Sequence, residues 1–368
     1  MKRIVIDCRF WGPSHTGLGR YTESLVAAIY KQKPDFDIYL LINSSKKHLF
    51  YKKFPRFKLV LCKSRPYSVS EQLEIPKILK KINPDLTHFL HFNVPIFHKK
   101  PFIVTIHDLV KHHSKGLETT TRTIFTYPLK RLGYFFTIKH AVLNSQAVLT
   151  PSNWVKKDIL SFYQISPKKI TVTPEAAASN YLKSGKSSLN PPKYPYLIYV
   201  GNAYPHKNLL QLIKVIKKIP IKLVIVTGRD VFYRRLRQTI RKLKAQSVVK
   251  IKGFTKDADL RVLYQHSLAF ITASLLEGFG LPGLEAMASQ TLVLSSNQAS
   301  LPEVYGKAAS YFNPNNLDEI EKQIKKAINL SESQRQLKIN QGLKHVQSFS
   351  WEKTAEKTLK VYENCFSL

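Results

Sequence analysis

Short apolar runs alternate with longer amphipathic stretches along the whole chain. Near the N-terminus, the apolar run RIVID is followed by a glycine-containing loop and then by RYTESLVAAIYKQ, where apolar residues recur at helical spacing. Further strands are predicted at IYLLIN, KLVLC, LTHFL, PFIVTIHD and AVLT, with a helix at EQLEIPKILKKI. Regular alternation of buried strands and helices predicts a parallel sheet that is covered by helices on both faces.

The same pattern starts again after residue 194. Strands are predicted at YLIYVG, KLVIVTG, VVKIKGF, LAFITAS and TLVLSS, each separated from the next by a predicted helix. Residues 176–194 are rich in Ser, Pro, Lys and Gly, which is typical of an interdomain linker. We therefore expect an α/β protein with two doubly wound, Rossmann-like domains, 1–175 and 195–349, that face each other across a cleft.

The chain is strongly basic. Lys and Arg total 58 against 24 Asp and Glu, a formal net charge of +34. Such a charge attracts nucleic acid, an anionic lipid leaflet or phosphorylated small molecules, and it also has a plain explanation in solubility. Because the basic residues are spread through both halves and do not form one stripe with interleaved aromatics, a non-catalytic nucleic-acid-binding function is disfavoured.

Cysteine usage and hydropathy indicate a cytoplasmic protein. The three cysteines, Cys8, Cys62 and Cys365, are far apart and lack metal-like spacing, so neither a disulfide framework nor a metal site is predicted. The chain has no run of about 18 apolar residues, so no signal peptide or membrane helix is expected. The stretch 126–142 mixes aromatic and basic residues at helical spacing. Two interpretations of this stretch are possible: it packs in the core of the N-terminal domain, or it contacts an anionic membrane surface.

Two loops that follow predicted strands carry candidate phosphate-binding groups. In open parallel sheets, ligands bind at the carboxyl ends of the strands, near helix N-termini. Gly17 and Gly19 follow the first strand and could let backbone N–H groups approach a phosphate, although glycines are common at this position. Lys207, next to His206, precedes a helix whose dipole opposes a cation there. This placement favours a phosphate-binding lysine over a solvated one.

A third loop, LLEGFGLPGLEAMA, contains two carboxylates. Pro282 suits a first helical turn, and Gly278, Gly280 and Gly283 would let the backbone approach a ligand. A carboxylate can accept both hydrogen bonds of a vicinal diol, so we assign Glu285 to a ribose and Glu277 to hydroxyls of the group that the diphosphate carries. The alternative is an acidic residue that interacts only with its own helix dipole.

Several motifs, in order over almost the whole chain, resemble the retaining family-four glycosyltransferases of the GT-B fold. These motifs are TIHDL, TPSNWVKKDI, YVGNAYPHKNL, EGFGLPGLEAMA, SLPEVYGKAASYFNP and FSWEKTAEKTLKVY. The resemblance implies transfer of a sugar from a nucleotide sugar to an acceptor hydroxyl, with retained anomeric configuration and without a metal ion. It further implies front-face attack, in which the leaving phosphate accepts the proton of the acceptor.

The resemblance also assigns roles to individual residues. It implies His107, Glu277 and Lys207 as catalytic residues, with His107 at the donor sugar and Lys207 at the diphosphate. The implied donor-binding residues are Gly17, Gly19, His206, Lys207, Gly253, Phe254, Glu277, Gly278, Phe279, Gly280, Leu281 and Glu285. Of these, Gly253 and Phe254 are placed at the nucleobase from strand position alone. Many members carry Arg where this chain has His206, whose charge near neutral pH we expect to be partial.

The donor and acceptor follow less directly from the motifs. We expect GDP-mannose or a UDP-hexose as donor substrate, no cofactor, and a saccharide or lipid-linked acceptor. Peripheral attachment to the inner face of the cell membrane would account for the basic surplus. Residues 350–368 are expected to form a helix that packs back on the N-terminal domain. An epimerase or a phosphorylase on the same fold stays an alternative, although no motif for a cofactor-bearing lysine is present.

Overall fold

The computed structural model of the protein describes residues 1–12, 15–43, 47–114, 126–182, 187–228 and 231–367. The chain forms two compact units. Of the described residues, those within 1–109, 124–175 and 350–368 form the N-terminal unit, and those within 110–123 and 176–349 form the C-terminal unit. Residues 183–186 of the expected linker, 176–194, lie outside the described ranges.

The N-terminal unit is built around a seven-stranded, wholly parallel sheet. Its elements are β1 (Lys2–Asp7), α1 (Thr16–Gln32), β2 (Phe36–Asn43), α2 (Lys47–Lys53), β3 (Lys58–Cys62), α3 (Glu71–Ile82), β4 (Leu86–Phe89), β5 (Phe102–Thr105), α5 (Thr126–Asn144), β6 (Ala147–Thr150), α6 (Asn153–Phe162) and β7 (Ile170–Val172). The last helix of the chain, α15 (Trp351–Phe366), also belongs to this unit, whereas α4 (Val110–His113) belongs to the C-terminal unit. The strand order is β3-β2-β1-β4-β5-β6-β7.

Helices cover this sheet and account for its apolar strands. In β1, Ile4, Val5 and Ile6 are fully buried, and Ile4 is in register with residues of both β2 and β4. Consecutive buried residues in one strand require cover on both faces of a sheet. The last helix, α15, packs against α1, and its Tyr362 is fully buried within the N-terminal unit.

The C-terminal unit contains a six-stranded parallel sheet. Its further elements are α7 (Ser179–Leu182), β8 (Tyr196–Val200), α8 (Leu209–Ile216), β9 (Lys222–Val226), α9 (Val231–Lys242), β10 (Val249–Lys252), α10 (Asp257–Gln265), β11 (Ala269–Thr272), α11 (Leu281–Ala288), β12 (Val293–Ser296), α12 (Leu301–Tyr305), β13 (Ser310–Phe312), α13 (Leu317–Ile328) and α14 (Glu332–Val346). The strand order is β10-β9-β8-β11-β12-β13.

These two sheets confirm the predicted fold class of two Rossmann-like, parallel α/β domains. Apolar side chains of β8 point to both faces, with Leu197 in one core cluster and Ile198 in the other. Part of the expected linker is ordered, because α7 carries a buried Tyr181 whose hydroxyl donates to Asp257 Oδ1 at 3.1 Å.

Candidate active site

The order of strands in the C-terminal sheet defines where a ligand can bind. From β8 the chain first adds β9 and β10 on one side and then crosses to add β11, β12 and β13 on the other. Loops diverge at such a switch point and leave a crevice at the carboxyl ends of the two central strands. The loop after β8 carries His206 and Lys207, and the loop after β11 carries Glu277.

Lys207 and Glu277 form an ion pair at this switch point. Lys207 ends a 3-10 turn, Pro205–Lys207, and the next residue, Asn208, adopts a left-handed conformation with φ of 56° from which α8 begins. The Lys207 ammonium donates to Glu277 Oε1 at 2.5 Å, and the side chains are 13% and 19% exposed. The backbone N–H of Leu275 donates to the carbonyl of His206 at 2.8 Å and joins the two loops directly.

The environment of Glu277 keeps it ionised. Burial alone raises the pKa of the Glu277 carboxyl, but the Lys207 charge and hydrogen bond, with a hydrogen bond from Ser274, outweigh burial and hold the pKa below its usual value. The Ser274 hydroxyl donates to the same oxygen, Oε1, at 2.8 Å. Within the described ranges no hydrogen bond reaches Oε2. One carboxylate oxygen is therefore available to a ligand hydroxyl.

His206 is neutral at physiological pH. Its burial, followed by the adjacent Lys207 charge, lowers the pKa of His206 to about 4. Our expectation of a partial positive charge was therefore wrong, because a desolvated imidazole next to an ammonium loses its proton. Lys207 supplies the positive charge of this loop.

The glycines around α11 are explained by packing against Tyr305. Gly280 precedes the helix with φ of +97°, and a Cβ there would lie 2.6 Å from the Tyr305 hydroxyl. A Cβ on Gly283 would lie 2.3 Å from Tyr305 Cζ. The Tyr305 hydroxyl also donates to the Gly280 carbonyl at 2.5 Å. The Tyr305 ring thus fills the space into which a side chain at Gly280 would point, and donor binding by the Gly280 backbone stays a prediction.

The remaining residues of this motif are mostly buried. Glu285 is 2% exposed, and the hydroxyl of Tyr264 donates to its Oε2 at 3.5 Å. Phe279 belongs to the core cluster that also contains Tyr264, and Gly278 is buried while Leu281 is half-buried. The Phe279 side chain is 5% exposed, and its role in donor binding stays a prediction. The ribose role of Glu285 stays a prediction.

The expected nucleobase residues lie farther along the sheet. Gly253 and Phe254 follow β10, which β9 separates from β8. The Gly253 carbonyl accepts from the hydroxyl of Thr255 at 3.1 Å, and Phe254 is 70% exposed. An exposed aromatic ring at the carboxyl end of a strand is suited to stacking on a base. The described contacts do not join this pair to Lys207.

In the N-terminal sheet, the glycine loop lies beside the switch between β1 and β4. Both glycines fall in the first turn of α1. A Cβ on Gly19 would lie 2.0 Å from the carbonyl oxygen of Gly12, so close packing of the helix on this loop requires glycine. Gly17 is exposed, and a Cβ there would meet no atom of the described residues within 4 Å. Phosphate binding by either glycine stays a prediction.

His107 follows β5 and is held by two acceptors. Its Nδ1 lies 3.2 Å from Glu175 Oε1, its Nε2 lies 3.0 Å from the carbonyl oxygen of Leu90, and the ring of Tyr21 contacts its ring edge to face at 4.5 Å. Burial lowers the pKa of His107, but the hydrogen bond and charge of Glu175 outweigh burial and raise it above its usual value.

Sequence reasoning missed two polar partners, Ser274 and Glu175. Each lies just beyond the carboxyl end of a parallel strand, β11 for Ser274 and β7 for Glu175, where site residues of parallel sheets collect. For Ser274 the predicted strand LAFITAS carried this signal. Glu175 directly precedes the expected linker and was counted only as a domain boundary.

Comparison with known proteins decides the family. The family model described as Glycosyl transferases group 1 matches residues 182–342, and that described as Glycosyltransferase Family 4 matches residues 15–181. The chain is 30% identical over 263 residues to O-antigen chain mannosyltransferase B of Escherichia coli, covering 66% of this chain and 68% of that protein. The chain belongs to the group 1, family 4 glycosyltransferases.

Other similarities agree with this family assignment. The chain is 27% identical over 331 residues to O-antigen chain mannosyltransferase RfbU of Salmonella typhimurium, covering 84% of this chain and 87% of that protein. The crystal structure of Anabaena Alr3699/HepE in complex with UDP-glucose superposes with a TM-score of 0.71 at 15% identity and covers 100% of both chains. The resemblance drawn from the motifs is thus confirmed. A glycosyltransferase of this family uses a nucleotide-sugar donor and a saccharide acceptor.

Proposed function

We propose that this glycosyltransferase moves a mannose residue, with retained anomeric configuration and without a metal ion, from a nucleotide sugar to a hydroxyl of a saccharide or lipid-linked acceptor. GDP-mannose is the first choice of donor, and UDP-hexoses come next. The names of the two bacterial relatives, both O-antigen chain mannosyltransferases, support mannose and a polysaccharide acceptor.

The Lys207–Glu277 pair carries this proposal. It places an ammonium and a carboxylate with one unengaged oxygen side by side at the switch point of the C-terminal sheet. A diphosphate requires the cation, and sugar hydroxyls require an acceptor. A site for a nucleotide sugar requires both groups within the length of one ligand.

Departure of the nucleoside diphosphate leaves negative charge on phosphate oxygens beside an oxocarbenium-like sugar. A preorganised donor at such a developing charge is worth about 3 kcal/mol of barrier lowering. Lys207 supplies this stabilisation, and Glu277 orients the transferred sugar. In front-face attack the leaving phosphate accepts the proton of the acceptor hydroxyl, so no protein nucleophile takes part.

Metal independence rests on the ligands that the chain offers. Across the described part of the chain, no group of three or more His, Cys, Asp or Glu side chains is arranged to hold a metal ion. Lys207 takes the role that Mg²⁺ or Mn²⁺ has in metal-dependent transfer, which is to neutralise the diphosphate.

A donor screen tests the proposed function. Purified protein is incubated with GDP-mannose, UDP-glucose, UDP-galactose and UDP-N-acetylglucosamine, together with a lipid-extract acceptor, and released nucleoside diphosphate is measured. The anomeric configuration of the product is then read by NMR. Release from GDP-mannose and an α-linked product are expected. Inversion, or release from a UDP-hexose alone, would overturn the mannosyl or the retaining part of the proposal.

A membrane-facing role is proposed for α5, which covers the stretch 126–142 that we left open between core and membrane. One face of α5 is core, with Tyr134, Ile138, Ala141 and Val142 buried. The opposite face presents Leu129, Leu132 and Phe136, which are 74%, 54% and 63% exposed. These three lie at positions i, i+3 and i+7 and therefore form one stripe.

Charge complementarity selects an anionic bilayer as the partner of this stripe. Lys130 and Lys139 are exposed on the same helix, which has no acidic residue. An apolar stripe flanked by cations is typical of helices that lie in a membrane interface. No helix in the described ranges is long and apolar enough to cross a membrane.

Sedimentation with vesicles tests this surface. The protein should sediment with vesicles containing phosphatidylglycerol at low salt and should be largely released in 1 M salt, because each cation near the surface contributes about 1 kcal/mol. Phe136→Ser should reduce sedimentation, whereas Leu337→Ser, at a 60% exposed position of α14, should not. Equal sedimentation of both variants, or none by the wild type at low salt, would remove this proposal.

A further inference from the structure

Both ring nitrogens of His107 face groups that accept hydrogen bonds. Nδ1 lies 3.2 Å from Glu175 Oε1, and Nε2 lies 3.0 Å from the backbone carbonyl oxygen of Leu90. A neutral imidazole carries one N–H and one lone pair, whereas an imidazolium carries two N–H groups. Only the doubly protonated ring donates to both partners. A ring rotated by 180° would turn carbon atoms toward both acceptors, so rotation does not let a neutral ring satisfy them.

The surroundings make an unsatisfied partner costly. The Glu175 and His107 side chains are 9% and 14% exposed. In such a site, a carboxylate without a hydrogen-bond donor is unfavourable, and so is an imidazole lone pair that faces a carbonyl oxygen. The His107 ring is also fixed in plane by the edge-to-face contact with Tyr21.

We infer that Glu175 is a positioning residue, which holds His107 in one orientation as a positively charged imidazolium. The family assignment does not give this role to Glu175. The inference rests on the proposed role of His107 at the donor sugar. A transfer that leaves negative charge on a phosphate benefits from a fixed cation. The contribution of His107 to turnover should then follow the protonation of its ring.

Other titratable groups around His107 are consistent with a single cation at this position. Asp108 adds a second negative charge that favours protonation, and His91 stacks on the ring with centroids 6.4 Å apart. His88, in the neighbouring strand β4, is neutral, because burial and then the charge of His107 lower its pKa to about 3. Its two nitrogens contact the hydroxyls of Tyr362 and Thr105, which a neutral ring can satisfy because a hydroxyl both donates and accepts.

Histidine NMR measures this directly. In protein labelled with ¹⁵N-histidine, the His107 signals are identified by their loss in His107→Gln. The wild-type ring should show two protonated nitrogens at pH 7 and titrate above the ordinary midpoint of about 6.5. Glu175→Gln keeps an acceptor oxygen and removes the charge, and it should lower the midpoint by about one pH unit or more. Asp37→Asn is the control. It removes a carboxylate of β2 that pairs with Lys58 of β3, and it should leave the His107 midpoint unchanged.

Turnover gives a second readout. kcat/KM should fall as pH rises through the His107 midpoint, and in Glu175→Gln this fall should begin at lower pH. A purely structural role would lower kcat/KM by the same factor at every pH. If no donor is turned over, the proposed function fails while the NMR titration still decides the inference. A singly protonated His107 in the wild type at pH 7, or an equal midpoint in Glu175→Gln, would overturn it. The wild-type spectrum is decisive even if the variant does not fold.

Discussion

Removal of the Lys207 charge should separate a structural from a catalytic role of the Lys207–Glu277 pair. Replacement by Met keeps most of the aliphatic stem, and among the described residues it leaves the Glu277 carboxylate with the hydrogen bond from the Ser274 hydroxyl alone. Exposed ion pairs are worth about 0–1 kcal/mol, whereas stripping one partner from a buried pair costs about 3–5 kcal/mol. With side chains 13% and 19% exposed, this pair lies between those limits, and we expect a loss of about 2 kcal/mol in unfolding free energy.

The pH dependence of that loss has a definite sign. Because Lys207 holds the pKa of folded Glu277 below its usual value, the pair stabilises the protein above the unfolded pKa of Glu277 and loses this contribution as pH falls through the folded pKa. The Lys207→Met variant should therefore be destabilised at pH 7 and approach the wild type in acid, below about pH 4. Thermal unfolding at both pH values measures this, with an expected shift at pH 7 of about 4 to 8 °C.

The double variant Lys207→Met, Glu277→Gln provides the control. It removes both charges, so most of the lost stability should return. Binding of free nucleoside diphosphate should stay at least about tenfold weaker than in the wild type, because the diphosphate has lost its cation, whereas Glu277→Gln alone should leave this binding nearly unchanged. The measurements are thermal unfolding and calorimetric titration with nucleoside diphosphate for the wild type, both single variants and the double variant. Return of both stability and nucleoside diphosphate binding in the double variant would refute the diphosphate role of Lys207.

Three further predictions concern the same unit. Glu285→Gln should weaken binding of free nucleoside diphosphate by roughly 1.5–3 kcal/mol per lost charged hydrogen bond. Glu277→Gln should bind it about as well as the wild type and lose turnover. If calorimetric titration shows equally weakened binding in both variants, the two roles are misassigned. EDTA should leave turnover nearly unchanged, and a complete loss restored by Mg²⁺ would contradict metal independence. Gly283→Ala should destabilise the folded protein by about 1–3 kcal/mol, because its Cβ would lie 2.3 Å from Tyr305 Cζ. Gly133→Ala is the control, because a Cβ at this position of α5 would meet no described atom within 4 Å. Equal unfolding temperatures of the two variants would count against this packing.

Hydrophobic periodicity was sufficient to predict most strands of both sheets, but not β7 and β13, which are three residues long. The predicted strands contain runs of apolar residues, as in β8, where all residues up to Tyr199 are buried, and this signal depends only on local sequence. The position of Lys207 at the end of β8 was likewise predictable, because the carboxyl ends of parallel strands collect ligands wherever the strands pair.

The electrostatic state of the site could not be predicted in the same way. The neutrality of His206 depends on burial next to Lys207, and the raised pKa of His107 depends on Glu175, which lies 68 residues away in the chain. The packing of Tyr305 on Gly280 was missed for the same reason, since Tyr305 reaches it from another helix. Sequence motifs name residues, but pKa values and close packing follow from neighbours that only the fold brings together.

The geometry of the Lys207–Glu277 pair has a consequence for donor binding. An ammonium has three N–H donors, and one of them is directed to Glu277 Oε1. A diphosphate can therefore engage Lys207 while the ion pair persists, and Glu277 Oε2 can accept from a sugar hydroxyl without leaving Oε1. Under the proposed function the two groups bind the two ends of the scissile bond without first separating. Such a preorganised pair stabilises the transition state without having to rearrange first. Electrostatic stabilisation is most effective under this condition.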